Sequence, residues 1–166
     1  MLKGIEVEIL KDGSLDLSDE VLANLDIVIA AVHSHFGLSR KQQTERIIRA
    51  LDNPYVNILA HPSGRLLLER DAYDVDLARV IKHAAGCGCA LELNSQPERL
   101  DLTERYCRLA KSEGALVAIN SDAHSVKGFE NLKYGIGQAR RGWLEASDVL
   151  NTRSLTAVRK FLRRSR

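Results

Sequence analysis

The sequence predicts an α/β chain built on a parallel sheet, and three observations carry that expectation. Short apolar runs alternate with longer amphipathic ones along most of the 166 residues. That alternation is the mark of βαβ units. His, Asp, Glu and Asn gather directly after the apolar runs, at the carboxyl ends where parallel α/β sheets place their chemistry.

In chain order, Ile5–Leu10 is the first strand, with Ile5, Val7 and Ile9 alternating with Glu6 and Glu8. Ser18–Leu25 reads as a helix and Ile27–Val32 as the second strand. Arg40–Leu51 follows as a helix, with Ile47, Ile48 and Leu51 at helical spacing. Val56–Ala60 is the third strand, Val75–Ala85 a helix, and Ala90–Leu93 the fourth strand. Thr103–Glu113 is a helix that Asp101 or Thr103 caps and Gly114 stops. Leu116–Ile119 is the fifth strand. Asn131–Arg141 is a further helix, weakened by Gly135 and Gly137. Asn151 is the expected cap of a final helix with Leu155, Val158 and Leu162 on one face. Five such units fall short of a closed eight-fold barrel, which takes about 250 residues.

Composition sets the class. Apolar residues make up 45% of the chain and charged residues 28%, the profile of a soluble globular domain. No apolar run reaches the length of about 18 residues that a membrane span needs. The opening MLKGIEVEIL lacks the layout of a signal peptide, so the chain reads as a single cytoplasmic domain over 1–166 with no membrane partner. Cys87, Cys89 and Cys107 read as reduced, small core residues. The net charge of +2 is uneven: residues 127–166 hold ten Lys/Arg against three Asp/Glu. Such a tail suits a polyanionic partner, and it equally suits a solvated terminal helix.

The strand ends carry the chemistry. Strand one holds Glu6 and Glu8, strand two ends in His33-Ser34-His35, and strand three in His61. Strand four ends in Glu92 and Asn94, and strand five runs into Asp122 and His124. If the extended backbone continues past Ile119, Asp122 and His124 face one way. Four of the five histidines follow strands directly, while His83 lies on a helix. Imidazole and carboxylate together suit Zn²⁺, Mn²⁺ or Fe²⁺ rather than Ca²⁺. The sequence lacks G-x-S-x-G, G-x-x-x-x-G-K-[ST], and a G-x-G-x-x-G following a strand. Hydrolysis by metal-activated water is the simplest chemistry left.

GIEVEIL, AAVHSHF, AHPSGRLL, LELNSQPERLDL and INSDAHS, in this order, resemble the PHP (polymerase and histidinol phosphatase) metallo-hydrolase domain. YGIGQARRGWLEASDVLNT is similar to the end of that domain in bacterial family X DNA polymerases. The resemblance implies a distorted seven-stranded β/α barrel carrying one to three divalent ions, Zn²⁺ or Mn²⁺, at its carboxyl rim. It implies Glu6, His33, His61, Asp122 and His124 as metal ligands, with Arg65 of the HPSGR stretch meeting a phosphate or serving a salt bridge. His35 matches no ligand of the family and is read as a neighbour. The family's opening H-x-H and the ligands after it have no counterpart here. The expectation is therefore the C-terminal portion of the domain, a partial barrel without its first strands, completed by an N-terminal segment or a second chain. The implied function is DNA phosphoester hydrolysis, as a 3′-to-5′ exonuclease or in 3′-end processing during repair. A histidinol-phosphate-type small-molecule phosphatase and an inactive truncated scaffold are the alternatives.

Overall fold

A computed structural model gives the fold over residues 2–163. Five strands form one parallel sheet in sequential order, β1 (Gly4–Glu8), β2 (Ile27–Ala31), β3 (Ile58–Leu59), β4 (Ala90–Asn94) and β5 (Val117–Asn120). The order and the intervening helices fit a partial β/α barrel. Helices α1 (Asp19–Leu22), α2 (Arg40–Leu51), α3 (Leu77–Cys87) and α4 (Glu104–Glu113) make the crossovers. Among the described residues, no helix is long and apolar enough to cross a membrane.

The elements lie where the sequence places them, with local differences that have physical causes. Only Ile58 and Leu59 of the third strand pair in regular register. Just before them the buried Asn57 turns its side chain to the sheet, accepting from the Val28 N–H at 2.9 Å. Asp101 does not cap α4; its carboxylate accepts from the Ser63 N–H and hydroxyl instead, both at 2.8 Å. Thr103 holds the cap position without a side-chain bond, and Gly114 ends α4 at φ 75°.

The last forty residues form a 3₁₀ segment (Val126–Asn131), α5 (Leu132–Arg141), and α6 (Leu155–Leu162). Ser154, not Asn151, caps α6. Asn151 serves the sheet: its side-chain amide accepts from the Ile119 N–H at 2.7 Å and donates to the Ile119 carbonyl at 3.1 Å. That pairing, with a parallel bridge between Val117 and Val149, covers the outer edge of β5. At the opposite edge, among the described residues, β1 pairs outward at its carboxyl end, where Asp16 bonds the backbone of Glu8. Burial pushes the Cys107 thiol up to about 12.

Two apolar layers flank the sheet. Val28, Ala30, Leu59, Leu91, Leu93 and Val117 pack against Ile47, Val80, Ile81, Cys107 and Ala110 of the crossover helices. On the other face, Ile58, Ala90 and Ala118 pack against Leu150 and, from α6, Val158 and Phe161. The Asn57 amide donates to the Leu162 carbonyl at 3.1 Å, fixing the end of α6 at the amino ends of the strands. The basic residues Arg159 and Lys160 of α6, and Arg163 just after it, therefore lie toward the amino ends of the strands, away from their carboxyl rim. Arg164 and Arg166 lie outside the described residues.

Candidate metal centre

The face covered by α6 changes character along the strands. Near the amino ends it is apolar, with Ile27, Ile29, Ile58, Ala90 and Ala118. Toward the carboxyl ends the same side presents Glu6, Glu8, Glu92, Asn94 and Asn120. Period-two alternation produces this arrangement, because residues i and i+2 of a strand share a face. Parallel register then brings the ends of all five strands to one rim.

Glu6, His33 and His61 meet there. The His33 Nε2 lies 3.0 Å from Glu6 Oε1, and His61 Nε2 lies 3.6 Å from the same oxygen. One donor atom from each residue falls within 4.8 Å of the others. Ligand atoms around one tetrahedral Zn²⁺ stand about 3.4 Å apart, given bonds of about 2.1 Å. The donors are the right types and nearly at that spacing, so the three residues fit a divalent ion. Hydrogen bonds from His33 and then His61 hold the Glu6 carboxyl far below the usual carboxylate range, and Glu6 in turn raises His33.

Carboxylates anchor both histidines, His33 through its ring and backbone and His61 through its backbone alone. Glu8 Oε2 accepts from the His33 backbone N–H and lies 2.9 Å from its Nδ1, while Oε1 accepts from the Ser34 hydroxyl. The Glu8 carboxylate favours a proton on Nδ1, while Nε2 donates to Glu6 in the metal-free chain and is the atom that would turn to an ion. Beneath Glu8, the buried Arg46 guanidinium donates to the Ser34 carbonyl and lies 3.8 Å from Glu8 Oε1. Glu92 Oε2 accepts from the His61 N–H at 2.7 Å, just where the chain leaves β3 in a left-handed conformation at φ 27°. Burial raises the Glu92 carboxyl, against the pull of His61 and Asn120. The turn after His61 is tied by Asp101, and Gly64 is required there: at φ 63°, a Cβ would sit 2.4 Å from the Tyr73 ring.

Asp122 and His124 stand beside the triad rather than in it. The extended backbone stops at Asn120, and Asp122 is left-handed at φ 48°. Asp122 Oδ2 accepts from the Asn94 amide at 3.0 Å, and the same amide reaches Glu92 Oε2 at 3.3 Å. This chain of contacts links Asp122 to His61. The His124 Nδ1 bonds the Asp122 carbonyl at 2.9 Å, and its ring is 88% exposed. His35 is exposed and outside the triad. Arg65 donates to the backbone carbonyls of Arg99 and Leu100. Arg99 lies beside the site, with Nε 3.5 Å from Asp122 Oδ2.

Glu8 and Glu92, which the sequence places among the strand-end polar residues without a role as ligands, thus serve the site by holding its histidines. Arg99 lies in an irregular loop, where no periodicity points.

No family model matches the chain. Individual relatives do. It is 44% identical, over 99% of its length, to the DNA polymerase/3'-5' exonuclease PolX of Bacillus subtilis. It is 31% identical over 98% of its length to a protein of Thermoanaerobacter sp. named a probable phosphatase, and covers 68% of that protein. A similarly named protein of Caldanaerobacter subterraneus is 35% identical over 75% of the chain. The chain spans 29% of the Bacillus protein and 50% of the Caldanaerobacter one. The order of motifs, the rim of strand-end polar residues and these relatives agree: the chain belongs to the PHP (polymerase and histidinol phosphatase) family of hydrolases.

Proposed function

We propose that this chain is a metal-dependent phosphoesterase domain that hydrolyses DNA phosphoester bonds from the 3′ end. The observation that carries the reading is the convergence of Glu6, His33 and His61, with donor atoms within 4.8 Å of one another. These three residues hold the ion, Zn²⁺ or Mn²⁺ by donor type. A bound divalent ion supplies water of lowered pKa and offsets charge on the phosphoester oxygen.

The protein's own groups do the rest. When His33 Nε2 turns from Glu6 to an ion, Glu8 keeps the ring proton on Nδ1, so that Nε2 is the lone-pair donor. The His124 Nδ1 is spent on the Asp122 carbonyl, which leaves Nε2 as the ring atom available to a ligand. Arg99 presents its guanidinium beside Asp122, where it meets a phosphate oxygen. Arg65 holds the backbone on which Arg99 is mounted. The open edge of β1 beside Glu6 is where a strand from the same polypeptide or a second one would add ligands.

Identity of 44% with a protein named as a polymerase and 3'-5' exonuclease favours DNA as substrate. The relatives named probable phosphatases support a second reading, hydrolysis of a small phosphomonoester. A 5′-labelled oligonucleotide and histidinol phosphate, each incubated with the Mn²⁺-loaded protein, separate the two. Shortening of the label from the 3′ end is expected. Phosphate release from histidinol phosphate with an intact oligonucleotide would overturn the DNA reading.

A further inference from the structure

Next to Asp122, a cavity of about 450 Å³ is lined by Gln96, Asp122, His124, Ser125, Lys127 and Asn131, among others. Its size falls in the range of sites for nucleotide-sized ligands. The wall is fixed. Gln96 spends its amide on the Ser121 and Asp122 carbonyls, both at 2.7 Å, and accepts from the Asn131 amide at 2.8 Å. Gly128 seats the 3₁₀ turn against Ala123 so closely that a Cβ would stand 2.9 Å from the Ala123 Cβ. On this anchored turn the outward groups are unusual. Phe129 is 62% exposed and Val126 86% exposed. Lys127 is exposed and makes no ion pair among the described residues.

An exposed aromatic ring and an unpaired ammonium on one anchored turn are the parts that single-stranded nucleic acid uses, the base stacking on the ring and the phosphate meeting the cation. We propose that the Val126–Asn131 turn forms a subsite for one nucleotide of a DNA single strand, with the base on Phe129 and the phosphate on Lys127. The inference rests on the DNA reading above and assigns the turn a job within it. The strand then reaches Asp122 and His124 from the outer side of the rim. Lys127 lines the cavity itself; Phe129 stands outside its lining, on the same turn, as does the turn's own acid, Glu130. A protein partner would use Phe129 and Val126 together as an apolar patch and would have little use for Lys127.

The test is fluorescence anisotropy of a short 5′-labelled oligothymidylate with the metal-free chain in chelator, at low salt, so that no hydrolysis intervenes. Phe129→Ala is expected to weaken binding about tenfold, the loss typical of removing one base-stacking aromatic, and Phe129→Trp to retain it. Lys127→Ala is expected to lower the slope of log affinity against log salt by about 0.7, one phosphate contact on a single strand. Binding by the parent chain that Phe129→Ala leaves unchanged would overturn the subsite and leave the DNA reading standing. No binding by the parent chain would overturn both.

Discussion

Glu8 is the residue whose removal most sharply separates holding a ligand from being one. Its carboxylate accepts two bonds from His33 and one from Ser34, and it lies 3.8 Å from the buried Arg46 guanidinium. Glu8→Gln keeps the shape and one oxygen toward His33 and removes the charge. A hydrogen bond to a charged group contributes about 1.5–3 kcal/mol and a neutral one about 0.5–1.5. The difference, about 1 kcal/mol, corresponds to roughly fivefold to tenfold weaker metal binding. Glu8→Ala frees the ring altogether and is expected to cost the 10–100-fold typical of partners that orient metal-bound histidines. The assay is competition for Zn²⁺ against a chromophoric chelator, with a melting curve to confirm that each variant is folded. Glu8→Gln and Glu8→Ala binding as tightly as the parent chain, while His33→Ala does not bind, would refute the orienting role.

Other outcomes follow from the same geometry. In the metal-free chain, Glu6 is lowered, so its contribution to stability is present above its ordinary value of 4.5 and fades as pH falls toward its depressed value. His33 is raised, so its contribution is full below its ordinary value of 6.5 and is lost as pH rises through the raised one. Melting temperature without metal should therefore favour the interval between those ordinary values. Zn²⁺ affinity should fall as pH drops below the raised His33 value, because the ion must displace that proton; affinity that is flat across this interval would contradict the Glu6–His33 pairing. Gly135→Ala places a Cβ 2.0 Å from the Ser95 hydroxyl oxygen and 2.8 Å from Ile119. Overpacking of about 1–3 kcal/mol exceeds the gain of about 1 from helix propensity, so a lower melting temperature is expected. Gly137→Ala meets nothing within 4 Å and should raise it, which makes the pair a test of how α5 is seated.

Much of this was legible in the sequence, for reasons that differ by element. The α2 prediction, Arg40–Leu51, matches the observed span because its apolar spacing and its Ser39–Gln42 capping box both act locally. Glu6, His33 and His61 meet because parallel register is set by the strands themselves. Asn151 was misread because its role is tertiary: an Asn that pairs with a strand edge looks, in sequence, like one that caps a helix. The relation of Asp122 to His124 depended on whether β5 stayed extended, and the left-handed turn at Asp122 is decided by Asn94 and Gln96. The motif singles out Arg65, and what it does not reveal is that this guanidinium bonds the carbonyl of Arg99, whose own side chain lies beside Asp122.

The measurement that tests the central claim most directly is the metal-to-protein ratio after equilibration with Mn²⁺ or Zn²⁺ and removal of free ion. The account predicts about one tightly held ion per chain for the parent and for His35→Ala, and loss of that ion in His61→Ala. Metal-free parent chain, or equal losses in the two variants, would contradict the assignment of Glu6, His33 and His61 as the site.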